Sequence, residues 1–193
     1  MEKKKKIGLF FGSFNPVHVG HMIIANFMAQ RTDMDQVWMV VSPHNPLKAK
    51  SSLANDYERL HLVNLAIGDN PEIRVSDIEF SLPKPSYTID TLTYLKEKYT
   101  DNRFALIMGG DNLRTLHKWK NPEMIRQHQI YIYERPGYDS QEFKDQEEFT
   151  FVEAPLLDIS ASYIRKSIKD GFSVQYLIPD KVFEYISSGN LYK

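Results

Sequence analysis

Ile7-Gly-Leu-Phe-Phe-Gly-Ser-Phe-Asn-Pro-Val-His-Val-Gly-His21 runs from an apolar, β-prone segment through a turn rich in Gly and Pro. It leads into a helical pattern, Met22-Ile-Ile-Ala-Asn-Phe-Met-Ala29. Strand, turn and helix in that order predict the opening unit of an α/β fold. The helix start supplies N–H donors and the positive end of its dipole, which suit an anion. His18 and His21, three apart, share one side of the first turn. Gly12 and Gly20 carry no Cβ, so an anion or a base gains close approach to the backbone. Such junctions are also ordinary α/β punctuation. The joint pattern of two histidines, two glycines, a proline and an aromatic points to the phosphates of a nucleotide.

Apolar runs of strand length alternate with helical patterns along the rest of the chain. Strands are predicted at 6–11, 37–41, within 73–80, and at 104–108, 130–133 and 149–152. Helices are predicted at 21–31, 56–67, 88–99, 162–169 and 179–187. This alternation predicts an α/β, doubly wound, mostly parallel sheet covered on both faces, with C-terminal helices. Ligands bind such sheets beyond the carboxyl ends of the strands, where the strand order reverses. The 193 residues fit one domain, 1–193, with the polar segment 137–148 as a surface loop rather than a linker.

Composition narrows the function. Hydrophobic residues make up 42% and charged residues 25%, as in soluble globular proteins, and no apolar run approaches a membrane span or a signal peptide. Zero cysteines exclude disulfides, thiolate catalysis and Cys-based metal sites, and a cytoplasmic location is the default. A net charge of −1 argues against nucleic-acid binding, so phosphate recognition needs local positive charge in one pocket. That suits a small nucleotide.

A second anion site is written in Asp158-Ile-Ser-Ala-Ser-Tyr-Ile-Arg-Lys166. Ser160 is a natural N-cap and Ser162 lies in the first helical turn. Arg165, three residues beyond Ser162, adds a guanidinium suited to the outer phosphates of a triphosphate.

The first stretch resembles the GxFxPxHxGH signature of the nucleotidyltransferase superfamily, and Ile159-Ser-Ala-Ser-Tyr-Ile-Arg165 is similar to its ISxTxxR signature. Lys84-Pro-Ser-Tyr-Thr-Ile-Asp-Thr-Leu92, Met108-Gly-Gly-Asp-Asn-Leu113 with His117-Lys-Trp119, and Glu134-Arg-Pro-Gly-Tyr138 resemble segments of bacterial nicotinate-mononucleotide adenylyltransferases. The resemblance spans nearly the whole chain. It departs at Asn15, where the family carries Asp, at Ser162, where it carries Thr, and at Gly110, often Ala. What it implies is a Rossmann-like fold and adenylyl transfer from ATP to nicotinate mononucleotide, giving deamido-NAD and pyrophosphate with Mg²⁺ delivered on ATP.

By the same resemblance, ATP is held by Gly12, Ser13, Phe14, Gly20, Gly109, Asp111, Ile159, Ser160 and Ser162. The turn at Gly12–Phe14 offers N–H groups to the α-phosphate, and His18, His21, Lys48 and Arg165 carry the catalytic charge stabilisation. The histidines are expected to be neutral donors rather than a general base. Nicotinate mononucleotide is held by Lys48, Tyr87, Thr88, Trp119 and Arg135, with Trp119 stacking on the pyridine. No nucleophile is needed, because the acceptor phosphate attacks the α-phosphorus in line. Acid or amide at the pyridine, phosphopantetheine as acceptor, CTP as donor, a non-catalytic nucleotide sensor and a homo-oligomeric state stay open. A metal site from His18, His21 and His44 is disfavoured, since no carboxylate or cysteine completes it at ligand spacing.

Overall fold

The computed structural model describes residues 4–43, 53–134 and 140–193. In chain order the elements are β1 (Lys5–Gly12), α1 (Val19–Arg31), β2 (Gln36–Val41), α2 (Asp56–Ile67) and β3 (Ile73–Ser76). A 3₁₀ turn, Ile78–Ser81, precedes α3 (Thr88–Lys98), β4 (Asn102–Gly109), α4 (Gly110–Leu116) and α5 (Pro122–Ile125). Then come β5 (Ile130–Tyr133), β6 (Phe149–Val152), α6 (Ala161–Lys169) and α7 (Asp180–Ser188). The six strands form one sheet in the order β3-β2-β1-β4-β5-β6, and every pairing is parallel. This is the doubly wound architecture that the strand-helix alternation predicts.

Parallel strands buried on both faces need continuous apolar runs, which β1, β2, β4 and β5 supply. Alternate residues then feed two cores. Phe10, Met39, Ile107 and Tyr131 pack on one face with α1, α6 and α7. Leu9, Trp38, Leu106 and Ile130 pack on the other with α3 and α4. The strand order reverses between β1 and β4, so a crevice opens beyond their carboxyl ends, Gly12 and Gly109. Among the described residues, no helix is long and apolar enough to cross a membrane.

Helix α1 begins at Val19, two residues earlier than the sequence pattern predicts. His18 is therefore its N-cap in extended conformation, and His21 is the third helical residue. The cause is local: the His18 backbone N–H donates to Nδ1 of His21 at 3.2 Å, closing the end of the helix. Two short helices, α4 and α5, were not predicted; at seven and four residues they are too brief for a periodic signal.

Candidate functional site

The first motif folds back on itself at the mouth of the crevice. Phe14 has φ +43, an uncommon conformation for an aromatic residue, yet it is almost wholly buried. Its ring covers Gly12: a Cβ on Gly12 would lie 2.7 Å from Cε1 and Cζ of Phe14. Gly12 thus makes room for the Phe14 ring. Gly20 plays a similar part, because a Cβ there would meet Nδ1 of His18 at 3.1 Å. The ring of Phe14 stands edge-on to Phe10 and to His21, with centroids 5.8 Å and 5.0 Å away.

The two imidazoles stack at 3.6 Å with 27° between their planes. Two imidazolium cations face to face at that distance would repel strongly. Nδ1 of His21 accepts a backbone N–H, so the neutral ring carries its proton on Nε2 as a donor. The donors of the helix start are less available than the sequence suggests, because the Val19 N–H is already bound to the Leu177 carbonyl at 3.0 Å.

The second motif meets the first directly. Ser160 caps α6 by accepting the Tyr163 N–H at 3.2 Å. Arg165, one turn on, donates from Nη1 to the Asn15 carbonyl at 2.7 Å and from Nη2 to Oγ of Ser162 at 3.3 Å. Residues 150 apart in sequence are therefore joined at one point. Ile159, just before this cap, packs half-buried against the core. Asn15 is fixed further by its Oδ1, which accepts from the Ala54 N–H at 3.1 Å and the Tyr192 hydroxyl at 2.9 Å. Burial raises the pKa of Tyr192 well above that of an ordinary phenol.

Across the crevice, a Cβ on Gly109 would lie 2.4 Å from Oδ1 of Asp111 and 3.2 Å from the Tyr133 ring. Gly109 is needed for the carboxylate of Asp111 to fold over the end of β4. Tyr87 is the residue before α3, and Thr88 is its first residue. Lys120 pairs with Asp90 in the first turn of α3 at 2.8 Å and lies 5.0 Å over the Tyr87 ring. This brings the segment that carries Trp119 beside Tyr87 and Thr88. Trp119 packs half-buried against the core, with an indole N–H shielded from solvent and, among the described residues, without a hydrogen-bond partner. Lys48, Arg135 and His44 lie outside the described residues.

Three residues that matter here escaped the sequence reading. Ser42, at the end of β2, donates its N–H to the Gly12 carbonyl at 2.9 Å. Its hydroxyl bonds Glu79. Glu79, only 2% exposed, also receives the hydroxyls of Ser86 at 3.1 Å and Thr91 at 2.8 Å, on either side of Thr88. Burial raises its pKa, and the three hydroxyl donors pull it part of the way back. Arg59 is fully buried among backbone carbonyls. A glutamate between Ile78 and Phe80 is a weak hint of burial, whereas Arg59 reads as any solvated helix arginine.

Residues 9–167 match the family described as cytidylyltransferase-like, which makes the protein a nucleotidyltransferase. The sequence is 54% identical over 191 residues to the probable nicotinate-nucleotide adenylyltransferase of Flavobacterium psychrophilum, covering 97% of this chain and 99% of that one. To its counterpart in Bacillus licheniformis it is 34% identical over 190 residues, covering 98% and 99%. The chain belongs to the nicotinate-nucleotide adenylyltransferase family. Its fold is similar to that of the Plasmodium falciparum nicotinic acid mononucleotide adenylyltransferase, solved with NaAD, at a TM-score of 0.81 and 23% identity, covering 97% of each.

Proposed function

We propose that this protein transfers the adenylyl group of ATP to nicotinate mononucleotide, giving deamido-NAD and pyrophosphate. A phosphate oxygen of the mononucleotide attacks the α-phosphorus. The bond from that phosphorus to the bridging oxygen breaks, and pyrophosphate leaves with the electron pair. The observation that carries the reading is the contact of Arg165 with Asn15, which joins two phosphate motifs at the point where the strand order reverses.

On this reading His18 and His21 donate to the oxygens where charge builds up, and Arg165 and Ser162 hold the outer phosphates. The N–H groups of Ser13 and Phe14 face the α-phosphate, and Asp111 takes the ribose of ATP. Tyr87 and Thr88, at the start of α3, take the acceptor, Trp119 faces its pyridine, and Lys48 and Arg135 supply charge to it. The histidines and Arg165 present N–H donors, which fit phosphate oxygens rather than a cation. Among the described residues no group of three or more His, Asp or Glu is placed to hold a metal. On this reading Mg²⁺ would arrive with the triphosphate, where it would neutralise charge on the leaving pyrophosphate. We read residues 1–193 as one domain working in the cytoplasm beside its nucleotide substrates.

Pyrophosphate release tests this directly. The protein is incubated with Mg²⁺, with ATP or CTP, and with nicotinate mononucleotide, its amide or phosphopantetheine. Turnover with ATP and the acid is expected; turnover with phosphopantetheine alone, or with CTP in preference to ATP, overturns the assignment.

A further inference from the structure

Arg59 is, among the described residues, the only arginine or lysine in the buried interior, with an exposure of 0%. A buried cation is costly unless its donors are met, and here they are met almost wholly by backbone carbonyls. Nη1 donates to Ser13 at 2.5 Å and to Ser42 at 2.9 Å. Nη2 donates to Pro43 at 3.3 Å and to the Asp56 carboxylate at 2.7 Å, and Nε donates to Ala54 at 3.1 Å. Such a planar fork reaches several acceptors at fixed angles, which an ammonium does not.

The bond to Ser13 has a consequence for the neighbouring peptide. Cis bonds occur only at Asn15–Pro16 and Lys84–Pro85 among the described residues, so the Ser13–Phe14 peptide is trans and planar. In that plane the Ser13 carbonyl and the Phe14 N–H point in opposite directions. With the carbonyl held on the guanidinium, the N–H is turned away from Arg59. The far side of this unit is fixed as well, since the Phe14 ring is wedged over Gly12 against Phe10 and His21. A bulky residue at φ +43 persists only where its surroundings over-determine it. Arg59 from behind and the ring from the front supply that constraint.

We propose that Arg59 is a positioning residue that sets the Ser13–Phe14 peptide so that the Phe14 N–H is presented to the α-phosphoryl group of the nucleotide. The idea rests on the nucleotidyltransferase reading and adds to it a residue that touches no substrate. Its carbonyls at Ser42 and Pro43 tie the end of β2 to the same guanidinium, so the turn and the strand end share one anchor.

The test follows the Phe14 backbone amide by ¹H–¹⁵N NMR as α,β-methylene-ATP is added, alongside pyrophosphate release. In the wild-type protein the amide resonance should move on binding. In Arg59→Lys, which keeps the charge and loses the fork, the movement should shrink several-fold and kcat should fall about a hundredfold, as when one oriented oxyanion donor is lost. KM for nicotinate mononucleotide should be unchanged. An equal movement in variant and wild type overturns the role of Arg59 and leaves the transfer reading intact. If Arg59→Lys does not fold, the wild-type protein still decides: a Phe14 amide indifferent to the analogue overturns the inference. No pyrophosphate release with any acceptor, together with an Arg59-dependent Phe14 movement, overturns the reaction and supports the grip.

Discussion

Replacing Gly12 by alanine probes the close approach on which the first motif depends. The added Cβ would sit 2.7 Å from two carbons of the Phe14 ring, where ordinary contact begins at 3.4 Å. The ring must therefore retreat by about 0.7 Å, and it has nowhere vacant to go. It is 1% exposed and bounded by Phe10 and His21. Overpacking of this kind costs about 1–3 kcal/mol. For a chain of this length that lowers Tm by about 2–12 °C. Because His21 backs the ring, the push also reaches the stacked imidazoles. A shift of that size at a reacting centre costs up to about a hundredfold in kcat. Thermal melting and pyrophosphate release, measured on the same preparation, check both figures. Phe14→Leu in the Gly12→Ala background removes part of the ring and should return part of the lost Tm. A Gly12→Ala variant with wild-type Tm and wild-type kcat would refute the reasoning, since the turn would then tolerate a Cβ where the packing leaves no space.

Three further outcomes are expected. His18→Ala or His21→Ala should lower kcat by about a hundredfold or more, and His21→Ala should also lose about 0.5–2 kcal/mol of stability with its bond to the His18 N–H; a mild loss of kcat would make the histidine structural. Glu79→Gln should change how stability depends on pH. The raised folded pKa of Glu79 means that the wild-type protein loses stability as pH climbs from the ordinary glutamate value through the higher folded one, by at most about 1.4 kcal/mol per pH unit. The Tm of Glu79→Gln relative to wild type should therefore rise with pH over that window, and a constant difference would place the charge elsewhere. Trp119→Ala should raise KM for nicotinate mononucleotide with little change in KM for ATP; equal effects on both would remove Trp119 from the acceptor side.

Most of the fold can be read along the chain, because each buried parallel strand needs an unbroken apolar run. β5 at Ile130–Tyr133, β6 at Phe149–Val152 and α2 at Asp56–Ile67 fall where the pattern predicts. The boundaries that move are set by contacts invisible to periodicity, such as the His18–His21 bond that starts α1 early. Ser160 is legible as a cap because its local geometry depends only on its neighbours. Arg59 and Glu79 are not legible: their partners lie in other segments, at Ser13, Ser42, Ser86 and Thr91.

Local chemistry of strand, turn and helix start is enough to make the α/β alternation legible along the chain, together with the two motifs read as anion sites. The tertiary structure decided that Arg165 meets Asn15, that Gly12 serves the Phe14 ring, and that a buried guanidinium stands behind the turn. Those are distances between residues far apart in the chain, and only the packed sheet, with β1 beside β4 and α6 folded back on the turn, fixes them.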